Sequence, residues 1–495
     1  SGGDLLGSLT LKSSAGLALI VEEATMGGGL VSVTWNVPTG EQYFLVVGSA
    51  DRTSLGIYSL AIAIADPSED DGTGGGDGGG SGDGDGGSGG GGSGGGDDGG
   101  NGGGGSGDGD GDGGSGDGNG DGDGDQGAEE DEDPPVDATS DDSGAFTIVR
   151  TDADGRPILY LQEDDGSWTR VDLVGEAGGP TPEGRFSTFL DPVSGRSSIM
   201  SATASGLAVY ASDEAGNWSV RNLSAELGVA PIATNPVTFT TRTGLVYSAG
   251  LDAEGNLIAY RQTGSLNGNG GAVWGFEDIS AEDLAAQGLS LPTLVGSTLI
   301  AYVTGWNGLT IAGLDADGKI HAAWWSPGME RWTLADLSAI TGAPQYSGKI
   351  TAYLTPWNGI NIAGTDVNGD LSVVWWVPSF GGEWRVSKLN QLLEGPKLME
   401  GTVASWVTPW GGLNVSGLTA AGKVVVYWWT PSADGWQITT LSDYIPDVDP
   451  PARGVIGHTS NAGVISIMGL SEAGELVRYW WQPGESWAGE MLSAG

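Results

Sequence analysis

From about residue 144 to its C terminus the chain repeats itself every roughly 50 residues, a period that means a stacked array or a closed ring of supersecondary units. The clearest copies begin at Ser297, Gly348 and Gly401. In the second of these, one run ends at Trp357-Asn358-Gly359 and the next at Asp366-Val367-Asn368-Gly369. A third run carries Trp375-Trp376, and a fourth is opened by the lone Trp384. Glycine turns between short apolar runs read as four antiparallel strands per copy, the blade of a β-propeller. The lone tryptophan recurs at Trp168, Trp218, Trp274, Trp332, Trp384, Trp436 and Trp487, which predicts seven blades. The first copy, Ala145 to Leu173, shows strands two to four and no obvious first strand. Ring closure is expected through Val136 to Ser140, through exchange with the last blade, or with that innermost strand missing.

The fold class is therefore all-β, with a seven-bladed propeller over residues 143–495 and two different segments before it. Residues 1–65 alternate apolar and polar positions in five runs, Leu9 to Lys12, Leu17 to Val21, Leu30 to Val37, Tyr43 to Val47 and Ile57 to Ile64, and predict a small β-sandwich or part of one. Within it, Pro38-Thr39-Gly40-Glu41-Gln42-Tyr43-Phe44-Leu45-Val46-Val47 and Gly56-Ile57-Tyr58-Ser59-Leu60-Ala61-Ile62 resemble the closing strands of the bacterial pre-peptidase C-terminal domain. That resemblance covers only these strands, the opening ones lacking a counterpart after Ser1. It implies an exported bacterial protein, secreted or held at the cell surface. Residues 66–142 are Gly, Asp, Ser and Asn with almost no apolar side chain before Ala128, so nothing there offsets the entropy of ordering. They read as a disordered, acidic, self-repelling spacer. A calcium-binding β-roll would need a large apolar residue at a fixed place in each turn, and those are missing, leaving only a weak expectation of Ca2+.

Charge narrows the partners. There are 19 Lys and Arg against 64 Asp and Glu, a formal net charge of -45, and no basic residue between Arg52 and Arg150. Attraction to nucleic acid or anionic lipid is excluded on that balance. No apolar run reaches the length of a membrane span. The absence of Cys rules out disulfides, thiolate metal sites and a thiol nucleophile.

Most of the tryptophans read as packing. Neighbouring residues of a strand point to opposite faces, so Trp324-Trp325, Trp375-Trp376, Trp428-Trp429 and Trp480-Trp481 should each fill the gaps on both sides of their blade. Trp306, Trp357 and Trp410 differ, because they occur in three adjacent copies only and sit at tight Trp-Asn-Gly or Trp-Gly-Gly turns. With Asn307 and Asn358 they are the candidate ligand-binding residues: exposed aromatic faces beside hydrogen-bonding groups suit the apolar faces of sugar rings, and repetition gives avidity. The alternative is that these rings fold back and seal the rim. Turns such as Asp252-Ala253-Glu254-Gly255 and Asp315-Ala316-Asp317-Gly318 resemble calcium loops superficially but lack the distal bidentate Glu, and read as turn formers. Ser212-Asp213-Glu214-Ala215-Gly216-Asn217-Trp218 resembles the Asp-box hairpin of sialidases, a structural turn in those families.

Catalytic material is thin, with only His321 and His458 and no Gly-x-Ser-x-Gly elbow. The expectation is a binding or adhesive module with no enzyme activity, no cofactor and no assigned metal. Its partner would be a polysaccharide, a cell-surface glycan or another surface protein, met by a propeller rim held on a flexible spacer. Alternatives are a carbohydrate-binding lectin-like propeller, a propeller glycosidase or polysaccharide lyase, and a filament subunit self-assembling through its N-terminal β domain.

Overall fold

The computed structural model describes residues 6–13, 18–25, 43–49 and 136–492, less the short segments 142–143, 153–154, 164, 214, 267–270 and 379–380. The chain divides into two compact units, Ser1–Glu129 and Glu130–Gly495. In the first, Leu6–Ser13 is the central strand of a three-stranded antiparallel sheet, flanked by Ala18–Thr25 and Tyr43–Ser49. The expected strands Leu30 to Val37 and Ile57 to Ile64, and the spacer as far as residue 135, lie outside the described residues.

In the second unit the described residues form seven four-stranded antiparallel sheets, each made from one contiguous piece of chain. Their first strands are Val136–Ser140, Pro182–Asp191, Val237–Thr240, Ile300–Val303, Tyr346–Leu354, Ala404–Val407 and Arg453–Thr459. Each lies beside the first strand of the next blade, and Val136–Ser140 lies beside Arg453–Thr459, so the ring is closed. Of the three closures expected, the chain uses the first, without strand exchange. The propeller thus begins at Val136, inside the segment read as spacer up to 142. Val-Asp-Ala-Thr-Ser holds only two apolar side chains next to an acidic run, too weak an alternation to stand out.

Third strands read as unbroken apolar runs because both faces are covered by neighbouring blades. Val424 to Tyr427 in the sixth blade are all buried. Between successive sheets lie seven apolar clusters, one for each gap. Two of the tandem pairs divide between gaps as expected: Trp376 packs between blades four and five and Trp375 between five and six, while Trp429 faces five and six and Trp428 faces six and seven. Trp324 of blade four instead stays 37% exposed. The Asp turns between strands two and three spend a carboxylate oxygen on their own backbone. Asp315 Oδ1 accepts from Asp317 N and Lys319 N, both at 2.9 Å. Gly318 closes that turn at φ +75°, and a Cβ there would come within 2.2 Å of Tyr346 O.

A tyrosine precedes the Trp-Trp position in several blades and ties down the connection that enters the blade. The hydroxyls of Tyr210, Tyr427 and Tyr479 donate to the carbonyls of Pro180, Pro396 and Val448 at 2.6, 2.6 and 2.7 Å. Tyr427→Phe leaves the Pro396 carbonyl without this donor, and urea unfolding should show a loss of about 1 kcal/mol. An unchanged midpoint would mean that the carbonyl is served some other way.

Candidate functional site

The rim carrying the turns between strands one and two, and between three and four, holds the predicted tryptophans. Each turn is built by a threonine at its start: Thr304 Oγ1 accepts from Gly308 N at 2.7 Å, Thr355 Oγ1 from Gly359 N at 2.7 Å and Thr408 Oγ1 from Gly412 N at 2.8 Å. The left-handed residue that such a turn requires is Asn307 (φ 64°), Asn358 (φ 65°) and Gly411 (φ 81°). The tryptophan just before it is thrust outward, and Trp306, Trp357 and Trp410 are 40%, 40% and 42% exposed.

These rings are neither sealed in nor loose. Trp306 meets Trp376, Trp357 meets Trp429 and Trp410 meets Trp481, edge to face, with ring centres 5.7, 5.5 and 5.6 Å apart. Each hairpin tryptophan therefore leans on the second tryptophan of the following blade, in a geometry favourable for aromatic pairs. Three successive gaps, from four/five to six/seven, carry the same braced and half-open aromatic platform.

Asn307 and Asn358 point elsewhere. Asn307 Oδ1 accepts from Arg242 N at 2.8 Å, and the Arg242 Nε donates to Thr304 O at 3.0 Å, latching the turn of blade four to that of blade three. The Asn358 amide oxygen lies only 1.8 Å from where a Cβ on Gly305 would stand, so the turn of blade five packs closely against that of blade four. The structure thus brings together the three tryptophans as a series and turns the two asparagines toward the preceding blades.

Sequence reasoning missed the seam between the last and first blades. There Ala462 stands where the turns of blades four to six have tryptophan, and Gln162 replaces the second ring of the pair. A pocket of about 250 Å³ opens, lined by Phe146, Gln162, Arg478, Trp480, Gln482 and Glu490 among others. Arg478 is 4% exposed; its Nε donates to Ser466 Oγ at 3.0 Å and its Nη1 to Glu490 Oε1 at 2.8 Å. The guanidinium carbon lies 4.6 Å from the centre of the Phe146 ring, 5.4 Å from Trp168 and 5.7 Å from Trp480. The signal was present: Arg478 stands where the preceding copies have Ala322, Val373 and Val426. A second pocket of about 210 Å³ lies between blades one and two, lined by Arg196, Ser212 and Trp218 among others.

The two histidines lie on different blades. His321 Nε2 is 2.9 Å from Asp315 Oδ2 on blade four, and His458 Nε2 is 2.9 Å from Ser140 Oγ at the seam. Among the described residues no group of three or more His, Asp or Glu side chains converges as a metal site would require. No described helix is long and apolar enough to cross a membrane.

No protein-family model matches the chain, and no curated protein matches it. Among solved structures it is similar to a lectin from Burkholderia pseudomallei, with TM-score 0.56 and 15% identity, over 73% of this chain and 99% of that one. At that identity the likeness shows a shared fold. AofleA of Arthrobotrys oligospora (TM-score 0.43, 13% identity, 74% of this chain and 87% of that one) and the Aleuria aurantia lectin with Fucα1-6GlcNAc (TM-score 0.41, 14% identity, 73% and 96%) are more distant.

Proposed function

We propose that the propeller is a multivalent glycan-binding module whose rim receives sugar rings in the gaps between blades. One observation carries this reading: Trp306, Trp357 and Trp410 each keep about 40% of their surface open while a second tryptophan fixes the ring in place. A rigid, partly desolvated aromatic face is what the C–H face of a pyranose stacks on, and holding the ring beforehand removes an ordering cost from binding. The fold shared with a Burkholderia pseudomallei protein that is a lectin supports the same reading. The Arg478 pocket adds a site with adjacent donor and acceptor groups. Export of the chain, as its resemblance to the closing strands of the pre-peptidase C-terminal domain suggests, and display of the rim on the Gly/Asp spacer complete the proposal.

A glycan array probed with the full chain tests it. Each single change, Trp306→Ala, Trp357→Ala or Trp410→Ala, should weaken retention on a multivalent glycan several-fold. The triple variant should weaken it by at least about 100-fold, because linked sites act through effective concentration. Retention unchanged in the triple variant would refute the platform reading.

A further inference from the structure

In two of the gaps the chain seats a cation of its own over the first tryptophan of a tandem pair. Between blades five and six the Arg385 guanidinium carbon lies 5.6 Å from the centre of the Trp375 ring, and Arg385 Nη2 is 3.8 Å from Glu383 Oε2. Between blades seven and one Arg478 lies over Trp480 and pairs with Glu490. A positive charge, an aromatic face and a carboxylate recur together, buried at Arg478 and half-exposed at Arg385, an arrangement that attracts a cation in either setting.

Blade four repeats the ring and leaves out the cation. Trp325 packs between blades three and four, so Trp324 faces the gap between four and five, where Trp306 also leans. Across the strand ladder Trp324 pairs with Thr333, whereas Trp375 pairs with Arg385. Two residues before it stands Ala322, where blade seven has Arg478. Trp324 is 37% exposed, the one first-of-pair tryptophan among the exposed large apolar residues described. Its indole N–H also lacks the acceptor used elsewhere: Trp375 donates to Ser387 Oγ at 2.9 Å and Trp428 to Thr439 Oγ1 at 3.0 Å, and the corresponding residue of blade four is Ala335. The loops between strands three and four of the flanking blades carry exposed Glu330 and Glu383, on a chain of net charge -45.

Resting on the glycan-binding reading of the rim, we infer that the gap between blades four and five takes a protonated amino sugar. Its ammonium sits on Trp324, where Arg385 and Arg478 sit in the gaps between blades five and six and between seven and one, and its ring lies against Trp306.

Calorimetric titration of the full chain at pH 6 and low salt, with the glucosamine tetramer and the N-acetylglucosamine tetramer as probes, tests this. The glucosamine tetramer should bind at least tenfold more tightly, and more weakly once salt is raised or the pH passes the amine pKa. Trp324→Ala should remove that preference, and so should Thr333→Arg, which installs a cation of the chain's own without removing the ring. Arg385→Gln should add a second site and raise the stoichiometry from one to two. Equal affinity for the two tetramers, or a preference that survives both blade-four variants, overturns the inference. Tighter binding of tetralysine than of the glucosamine tetramer overturns the assignment to a sugar. Trp306-dependent binding of neutral glycans with no amine preference would sink this inference alone, whereas glycan binding indifferent to all three hairpin tryptophans would sink the rim reading itself.

Discussion

A chain that begins at Glu130 should keep the cooperative unfolding of the propeller, whereas one that begins at Gly144 should lose it. The difference is the strand Val136–Ser140, the innermost of blade one, which pairs along its length with Phe146–Thr151. Val136 is buried among Met468, Leu470 and Leu476 of blade seven, and Asp137 Oδ2 accepts from Thr188 N at 2.7 Å and from Thr188 Oγ1 at 3.1 Å on blade two. One short strand thus ties both neighbours of blade one. Its ladder supplies several hydrogen bonds at about 1 kcal/mol each, and burial of Val136 adds about 2 kcal/mol. A loss on the order of 5 kcal/mol is as large as the whole net stability of many domains. Calorimetry of the two truncated chains decides the matter: equal transition temperatures would mean that Val136–Ser140 does not close the ring.

The second large effect is acid sensitivity at the same seam. Burial, helped by the nearby Arg478 charge, holds His458 down at about 4, well below its ordinary 6.5. Its ring lies edge-on to Phe146 at 5.3 Å and bonds to Ser140. The folded chain keeps this imidazole neutral, while the unfolded chain takes up a proton as pH falls below about 6.5. Stability is therefore complete above that pH and is lost progressively toward pH 4, by about 3 kcal/mol in all. Asp137 acts in the opposite sense, since burial pushes its carboxyl up and protonation relieves that cost. Comparison with His458→Gln isolates the histidine. Between pH 7.5 and 4.5 the wild-type chain should lose about 2.5 kcal/mol more than the variant in urea unfolding. Parallel losses would show that His458 is not held neutral in the closed ring.

Both effects fall on the part of the fold that was least legible in the sequence. Blades three to seven announce themselves because each repeat solves the same packing problem with the same residues, and a lone tryptophan or a Trp-Trp pair marks the position in copy after copy. Val136 to Ser140 carries no such mark and follows an acidic run. The platforms were half legible. A tryptophan before a left-handed turn residue sits at a loop tip, so the sequence marks Trp306, Trp357 and Trp410 as candidates for exposure, and the structure decides that they stay half open and are not folded back over the rim. Their bracing on Trp376, Trp429 and Trp481 is not marked there, because it depends on the pitch between successive sheets. Asn307 and Asn358 show the converse, since a polar residue at a tight turn reads equally well as a ligand contact or as a latch. The Asp turns of the opposite rim, satisfied by their own backbone, behave as turn formers.

Period, blade number and the alternation of the tandem tryptophans follow from the amino-acid order alone, because strand geometry sends neighbouring side chains to opposite faces whatever lies beyond them. The chemistry of each gap does not. Ser140 and His458, or Phe146 and Arg478, are more than three hundred residues apart and meet only when the ring closes. Whether a tryptophan in a gap finds an arginine, a carboxylate, another ring or open water is decided by the adjoining blade, and so by tertiary structure.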